Sequence, residues 1–300
     1  MKVLNIGSLN LDYVYHVDHF VQPGETLNAD SQMVNPGGKG LNQSVALSRA
    51  GAEVWHAGCL GKGGESLKTL LEQNGVNTRW LLPVSELQGN AVIQVNAQGQ
   101  NCILLFGGSN RCLSDEQVEK TLADFAPGDL LVLQNEVNDL PMIVEKAYER
   151  GLRIVLNPSP YDAGLAGVDF GKLDWLLVNE VEARQLSGCA NPEAAWEHLH
   201  RETPGLSVLI TLGGAGSVAW QVKSGSVEQF RQAAFSVPAV DTTGAGDTFT
   251  GYFLGGLLED LPLEDCMRRA SMASALSVQR PGAAASIPCR AEVEEALSRL

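Results

Sequence analysis

From about residue 110 onward, short apolar segments alternate with segments of helical spacing, and this alternation restricts the chain more than any single residue does. Leu130-Leu-Val-Leu133 and Leu152-Arg-Ile-Val-Leu156 are short and mostly apolar, as strands covered on both faces are. Leu140 to Arg150, Glu180 to Leu186 and Pro192 to His200 read as helices, while Leu173 to Val178 and Leu206 to Leu212 return to strand character. Ser114 to Phe125 is predicted as a further helix, N-capped by Ser114, with Gln117 completing a capping box. Repeated βα units imply a mostly parallel sheet covered by helices on both faces. Hydrophobic content of 44% over 300 residues is ample for the core of one large α/β domain or two smaller ones. Ligands of such sheets gather at the carboxyl ends of the strands. Glu136, Asn157, Asn179 and Thr211 all fall at such ends.

Three segments break the rhythm. Tyr13-Val-Tyr-His-Val17, Ala91-Val-Ile-Gln-Val95 and Cys102-Ile-Leu-Leu-Phe106 read as strands, the last two joined by a turn at Asn96-Ala-Gln-Gly-Gln100. From those positions they do not easily join the parallel sheet, so a small separate β-sheet is expected.

Two glycine-rich runs precede helical patterns. Asp241-Thr-Thr-Gly-Ala-Gly-Asp247 lies directly ahead of the apolar segment Phe249 to Leu258. The first N–H groups of a helix lack intrahelical partners and carry partial positive charge, which suits a phosphate. Glycines at 244 and 246 allow close backbone approach and positive φ. Asp247 then either accepts a proton from an attacking hydroxyl or simply complements the helix start, and the run alone leaves both open. The second run, Asn35-Pro-Gly-Gly-Lys-Gly-Leu-Asn-Gln-Ser44, leads into a helix through Val45, Ala46, Leu47 and Ala50 to Gly51. In isolation Lys39 reads equally as a solvated loop lysine, and Asn42 as a helix-start residue. No G-x-x-x-x-G-K-[ST] spacing occurs, so this is not a Walker A loop. Gly213-Gly-Ala-Gly216 lies between two strand-like stretches, Ser207 to Leu212 and Ser217 to Val222, and so is no dinucleotide fingerprint.

With both runs in view, the chain resembles the PfkB family of carbohydrate kinases, its ribokinase-like branch most closely. The resemblance is carried by Gly37-Gly-Lys-Gly-Leu-Asn42 with Ser44, Gly51 and Gly61, and by Asp241 to Asp247. Asn10-Leu-Asp12, Pro23-Gly-Glu-Thr26, Gly107-Gly-Ser-Asn110, Asn157-Pro-Ser-Pro160, Asn179-Glu-Val-Glu182 and Thr211-Leu-Gly213 extend it in family order over nearly the whole chain.

The resemblance implies a ribokinase-like three-layer α/β/α fold. Residues 1–9, 34–88 and 107–300 would form the nucleotide- and substrate-binding domain, and 10–33 and 89–106 a β-sheet lid through which two copies would pair as a homodimer. It implies transfer of the γ-phosphate of ATP to a primary hydroxyl of a free sugar, D-ribose first. Asp247 would be the base, with the amides of Gly244, Ala245 and Gly246 holding the transferring charge. Asn10, Asp12, Gly38, Lys39, Asn42 and Glu136 would hold the sugar. Asn179, Glu182, Thr211, Gly213, Gly246 and Ser271 would hold the nucleotide, with Glu182 organising Mg2+ through water. Taken alone, Glu182 is equally an exposed helix glutamate beside Glu180 and Arg184. Asp241, Thr243, Ser277, Arg280, Gly282 and Ser286 match a K+ site, mostly through backbone carbonyls. The chain departs from the pattern in the shortened Gly61-Lys-Gly-Gly-Glu65 segment, in Tyr252 where Gly or Ala is usual, and in Ser271 where Asn is frequent.

Composition bounds the alternatives. A formal charge of −14 and the lack of a basic run disfavour nucleic acid and anionic membranes as partners. Any nucleotide site must therefore be locally positive through helix N-termini, Lys39 and bound cations. The six cysteines are scattered without C-x-x-C or zinc spacing, there is no secretory h-region, and no apolar run approaches the ~20 residues of a membrane span. A cytoplasmic enzyme is expected. A kinase for another sugar, a sugar acid or a nucleoside, and a non-catalytic sensor on the same fold, are the competing readings.

Overall fold

The computed structural model describes residues 1–300. In its first part, β1 (Val3–Ile6), β2 (Asn10–His16), β3 (Ser31–Gly37), α1 (Lys39–Arg49), β4 (Val54–Lys62), α2 (Glu65–Gln73), β5 (Asn77–Leu87), β6 (Asn90–Val95) and β7 (Asn101–Phe106) follow one another. Then come α3 (Asp115–Leu122), β8 (Leu130–Gln134), α4 (Leu140–Glu149), β9 (Arg153–Asn157), β10 (Trp175–Asn179), α5 (Glu180–Ser187), α6 (Pro192–Glu202) and β11 (Ser207–Thr211). The chain finishes with β12 (Ser217–Lys223), β13 (Ser226–Gln232), α7 (Ala245–Leu258), α8 (Leu263–Ser277) and α9 (Arg290–Ser298).

Nine strands form the main sheet in the order β13-β12-β11-β10-β9-β8-β1-β4-β5. All its pairs are parallel except β11–β12 and β12–β13 at one edge. Strand residues alternate between two buried clusters, as a period of two requires. Val3, Leu130 and Val132 face α1, α7 and α8, while Leu4, Leu131 and Leu133 face α3, α4, α5 and α6. The fold is therefore the three-layer α/β/α arrangement expected from the βα alternation.

The remaining four strands make a separate sheet in the order β3-β2-β6-β7. β6 and β7 form the expected antiparallel hairpin, and β2 lies parallel to β6. Its β3 was not foreseen. It begins before the glycine run and carries Asn35, Pro36 and Gly37 into the small sheet, pairing Asp12 with Asn35 and Asn10 with Gly37. The edge strand β7 is exposed at every position.

Two local expectations need correction. Ser114 does cap α3, accepting from the Gln117 backbone N–H at 3.2 Å, but the Gln117 side chain does not return the bond. Its amide instead reaches across to β4 and donates to the Gly58 carbonyl at 2.9 Å. Likewise α7 starts at Ala245, so Asp247 lies inside its first turn rather than ahead of it.

Candidate active site

The two glycine runs meet at the carboxyl end of the sheet. Gly40 permits this for α1: a Cβ there would stand 2.3 Å from the Ser8 backbone nitrogen, so only glycine lets the helix start against the β1–β2 connection. Gly244 permits it for α7, entering the helix at φ 73°, a left-handed conformation that glycine takes without strain. Gly246, by contrast, is not among the positive-φ residues and contributes only its small size.

The Asp247 side chain makes no cap bond. Instead Asn42 Nδ2 donates to its Oδ2 at 3.0 Å and Gln43 Nε2 donates to its Oδ1 at 2.9 Å. Helix-start complementation therefore does not account for this carboxylate, which α1 holds with one donor per oxygen. A carboxylate accepts about four hydrogen bonds, so acceptor capacity remains for a ligand hydroxyl. Asn42 Oδ1 is buried without any partner, a further acceptor beside the same carboxylate.

On one side of Asp247 a polar cleft of about 140 Å³ is lined by Lys39, Asn179, Glu182, Thr211 and the Gly244–Asp247 turn. It shares Thr211, Thr242, Ala245 and Gly246 with an apolar slot of about 320 Å³ walled by Phe235, Phe249, Ser271 and Val278. The Asn179 side chain accepts from the Val181 and Glu182 backbone N–H groups at 2.9 and 2.8 Å, and Glu182 Oε2 accepts from Asn179 N at 3.0 Å. Glu182 is thus a buried member of a capping box, not a solvated helix glutamate. No group of three His, Cys, Asp or Glu residues that could hold a metal ion occurs, so a divalent ion here would take its ligands chiefly from nucleotide phosphates and water.

A separate cavity of about 670 Å³ opens between the small sheet and the main body, lined by Asn10, Asn110, Arg111, Glu136, Phe106 and Asp162, without Asp247 among its walls. Glu136 accepts from the Ser8 hydroxyl and, at 3.1 Å, from the Lys39 backbone N–H. Burial pushes the Glu136 carboxyl above its usual range, against the opposing pull of Lys39. Burial, reinforced by the Glu136 charge, lifts Asp12 to about 7. Burial draws the Lys39 ammonium down, but Asp247, Glu136 and Glu182 together leave it above its ordinary value. Lys39 is therefore a half-buried positive charge in the field of three carboxylates, not a solvated loop residue.

The remaining expected residues cluster beside α7. Asp241 accepts from Thr243 N at 2.9 Å, Thr243 Oγ1 at 2.6 Å and Gly282 N at 2.8 Å. Burial raises its carboxyl, but these three donors outweigh that and hold it below the usual carboxylate range. The Val278 carbonyl accepts from Val240 N and Asp241 N, drawing the 278–286 loop against this carboxylate. Ser277 and Ser286 turn their hydroxyls onto nearby carbonyls, and the Arg280 guanidinium pairs with Glu292. One carboxylate amid backbone oxygens suits a hard, weakly held cation.

Sequence reasoning gave no role to Gln43, Ser8, Asn5 or Gln134, and named Asn110 only as part of a motif. Asn5 and Gln134 are polar residues in otherwise apolar buried strands, and that contrast is the signal that marks them. Asn110 Nδ2 donates to Asn10 Oδ1 at 2.7 Å and so fixes a residue facing the larger cavity.

The family model for pfkB family carbohydrate kinases matches residues 1–290. A ribokinase of Haemophilus influenzae is 36% identical over 302 residues, covering 97% of each chain. A deoxyribokinase of Salmonella typhi is 31% identical, covering 99% of each. Among solved structures, Arabidopsis thaliana ribokinase complexed with ribose and ATP superposes with a TM-score of 0.87 at 28% identity, covering 99% of this chain and 98% of that one. Ribokinase from Cryptococcus neoformans in complex with ADP gives 0.84 at 33% identity, covering 100% and 99%.

Proposed function

The chain belongs to the pfkB family of carbohydrate kinases, and from that premise we propose that it transfers the γ-phosphate of ATP to the primary hydroxyl of D-ribose, giving ribose 5-phosphate and ADP. The observation that carries this reading is the Asp247 carboxylate, held by Asn42 and Gln43 at the N-terminus of α7 and facing a phosphate-sized cleft that it shares with Lys39 and the Gly244–Gly246 turn.

Asn10, Asp12, Gly38, Lys39, Asn42 and Glu136 hold the sugar. Carboxylates and amides suit vicinal hydroxyls because each can accept or donate to a pair of them. The adenine occupies the apolar slot at Gly213 and Ser271, and its phosphates run past Asn179, Glu182 and Thr211 to the Gly244–Gly246 amides. In the transfer step the sugar hydroxyl gives its proton to Asp247 while its oxygen bonds to the γ-phosphorus. The bond from that phosphorus to the β–γ bridging oxygen breaks, and its electrons leave with ADP. The amides at 244–246 and Lys39 stabilise the charge that develops on the transferring group. Mg2+, with Glu182 as its protein anchor through water, would neutralise phosphate charge. K+ would sit at Asp241, Thr243, Ser277, Arg280, Gly282 and Ser286 and steady the α7 turn.

A free sugar is favoured over a sugar phosphate because the field of three carboxylates acts on Lys39, and Arg111 donates to the Val137 carbonyl at 2.7 Å. The likeness to a deoxyribokinase supports 2-deoxyribose as the second reading. The six free thiols and the acidic surface fit the cytoplasm. Copies pair through the exposed face of the small sheet.

ADP release across a panel of sugars and nucleosides, with K+ or Na+, tests the acceptor and the cation together. Ribose is expected to give the highest kcat/KM, and K+ a faster rate than Na+. Asp247→Asn should fold and lose about 10²–10⁴-fold in kcat. Wild-type turnover in that variant would remove Asp247 as the base.

A further inference from the structure

We propose that Gln43 is a positioning residue for the reaction, holding the Asp247 carboxylate at the attack angle through a buried chain of amides whose direction is set by the Gly40 backbone carbonyl. The inference rests on Asp247 being the base.

Asn5, Gln43, Ser44, His56 and Gln134 are all buried, beneath the floor of the site. Asn5 Nδ2 donates to the Gly40 carbonyl at 2.9 Å and to Ser44 Oγ at 2.8 Å. A carbonyl can only accept, so the Asn5 amide sits one way round and turns Oδ1 toward Gln134. Gln134 Nε2 then gives its two N–H groups to Asn5 Oδ1 at 3.1 Å and to Gln43 Oε1 at 2.8 Å. With its oxygen thus occupied, Gln43 can present only Nε2 to Asp247 Oδ1, at 2.9 Å, and its other N–H reaches Asn157 Oδ1 at 3.3 Å. Every donor along this line is committed. A flip at any one amide would set two acceptors or two donors face to face in a dry interior, which the fold disfavours strongly. Asp247 is therefore fixed by a side chain that touches neither sugar nor nucleotide in the arrangement described above. Asn42 alone, on Oδ2, would leave the carboxylate free to swing about its Cβ–Cγ bond.

The test uses near-isosteric replacements in the full chain. Gln43→Met keeps the length but removes both the donor and the acceptor, and Gln43→Glu keeps the shape but sets a second carboxyl against Asp247. Gln43→Met is expected to lower kcat by about 10- to 100-fold with KM for sugar and ATP within about threefold, because orientation is lost while binding is kept. Gln43→Glu should lose more. Gln134→Met, one link away, should lose about threefold to tenfold in kcat, and the double Met variant should be no worse than Gln43→Met alone, since both changes break one line. A kcat for Gln43→Met within about twofold of wild type would overturn the proposal. So would a loss shared equally by kcat and sugar binding, or strictly additive losses in the double variant. Should Gln43→Met fail to fold, the Gln134→Met split between kcat and KM decides alone, and an unchanged kcat there overturns the proposal. Asp247→Asn run in parallel separates the two claims. If it is inactive while Gln43→Met is normal, only the positioning role falls; if it keeps its rate, both fall.

Discussion

Burial lifts the Asp12 carboxyl to about 7, with the Glu136 charge adding to the effect, so its protonation changes within the working range of pH. Below that point Asp12 is a neutral acid with one donor; above it, an acceptor-only carboxylate. If a sugar hydroxyl donates to it, kcat/KM for the sugar should rise with pH through about 7 and level off beyond, and Asp12→Asn should flatten that rise. Initial rates at low sugar between pH 5.5 and 8.5 check both. His56 has the opposite character. Burial draws its pKa down to about 4, and Ser44, having accepted from Asn5, can give its own proton to the imidazole Nδ1 at 2.9 Å. The folded protein keeps His56 neutral while the unfolded chain protonates it near 6.5, so stability is full above that pH and is lost as pH falls toward 4. The loss approaches ~3 kcal/mol from this residue alone. Urea midpoints at pH 7 and pH 5 should show it, with a shallower fall in His56→Asn. At this scale the sequence singled out Asp247 and Asn42, whose side chains meet. It was silent on Gln43 beside them, because a single glutamine carries no mark of the partner 204 positions away that it meets.

The pairing of α1 with α7 sets the distance between the two runs. A Cβ on Gly251 would stand 2.3 Å from the Ala46 Cβ and 2.7 Å from the Leu47 backbone nitrogen, so the helices touch there almost backbone to backbone. Alanine is the better helix former by ~1 kcal/mol, but rigid backbone on the other side makes the clash decide the sign. Gly251→Ala is expected to cost ~1–3 kcal/mol in thermal or chemical denaturation, and to reduce kcat by moving Asp247 away from Asn42 and Gln43. One residue further on, Tyr252 fills a position where the family usually has Gly or Ala. Its ring is fully buried, and its hydroxyl donates to the Pro288 carbonyl at 2.7 Å. The larger side chain thus ties α7 to the segment before α9 and leaves the turn at 244–247 undisturbed. Tyr252→Phe should cost ~1–2 kcal/mol by orphaning that carbonyl, with KM unchanged. Helices and strands with strong apolar periods were legible to within a residue or two, as Leu130–Gln134 and Leu140–Glu149 show. β3, β5 and β13 were not, because they run along a sheet edge or in the small sheet, where half-exposed residues leave mixed patterns.

Over the whole molecule the small sheet leaves apolar side chains exposed along its two edge strands, β7 and β3. Leu104 is 71% exposed and Phe106 51%, and Met33, Val34, Ile103 and Leu105 are exposed with them. An exposed apolar edge strand needs a cover, and a second copy would supply one of matching chemistry. Sedimentation at micromolar concentration should give a dimer, and Ile103→Glu with Leu104→Glu a monomer whose melting differs little per chain; a wild-type monomer would end this reading. The βα alternation announced the main sheet, and the interruption of its rhythm announced the small one. How far apart in the chain the joined parts lie was not legible, since periodicity is local. The strand order also has a reading in time. β4 can pair with β1, and β5 with β4, once residue 87 has been made, yet the other edge of β1 waits for β8, residues 130–134. At ~5–20 residues per second that edge stays open for several seconds on a growing chain, when a chaperone has most to protect. The wait for Asp247 is longer still: a ribosome paused before residue 245 would hold every strand of both sheets and no reaction centre.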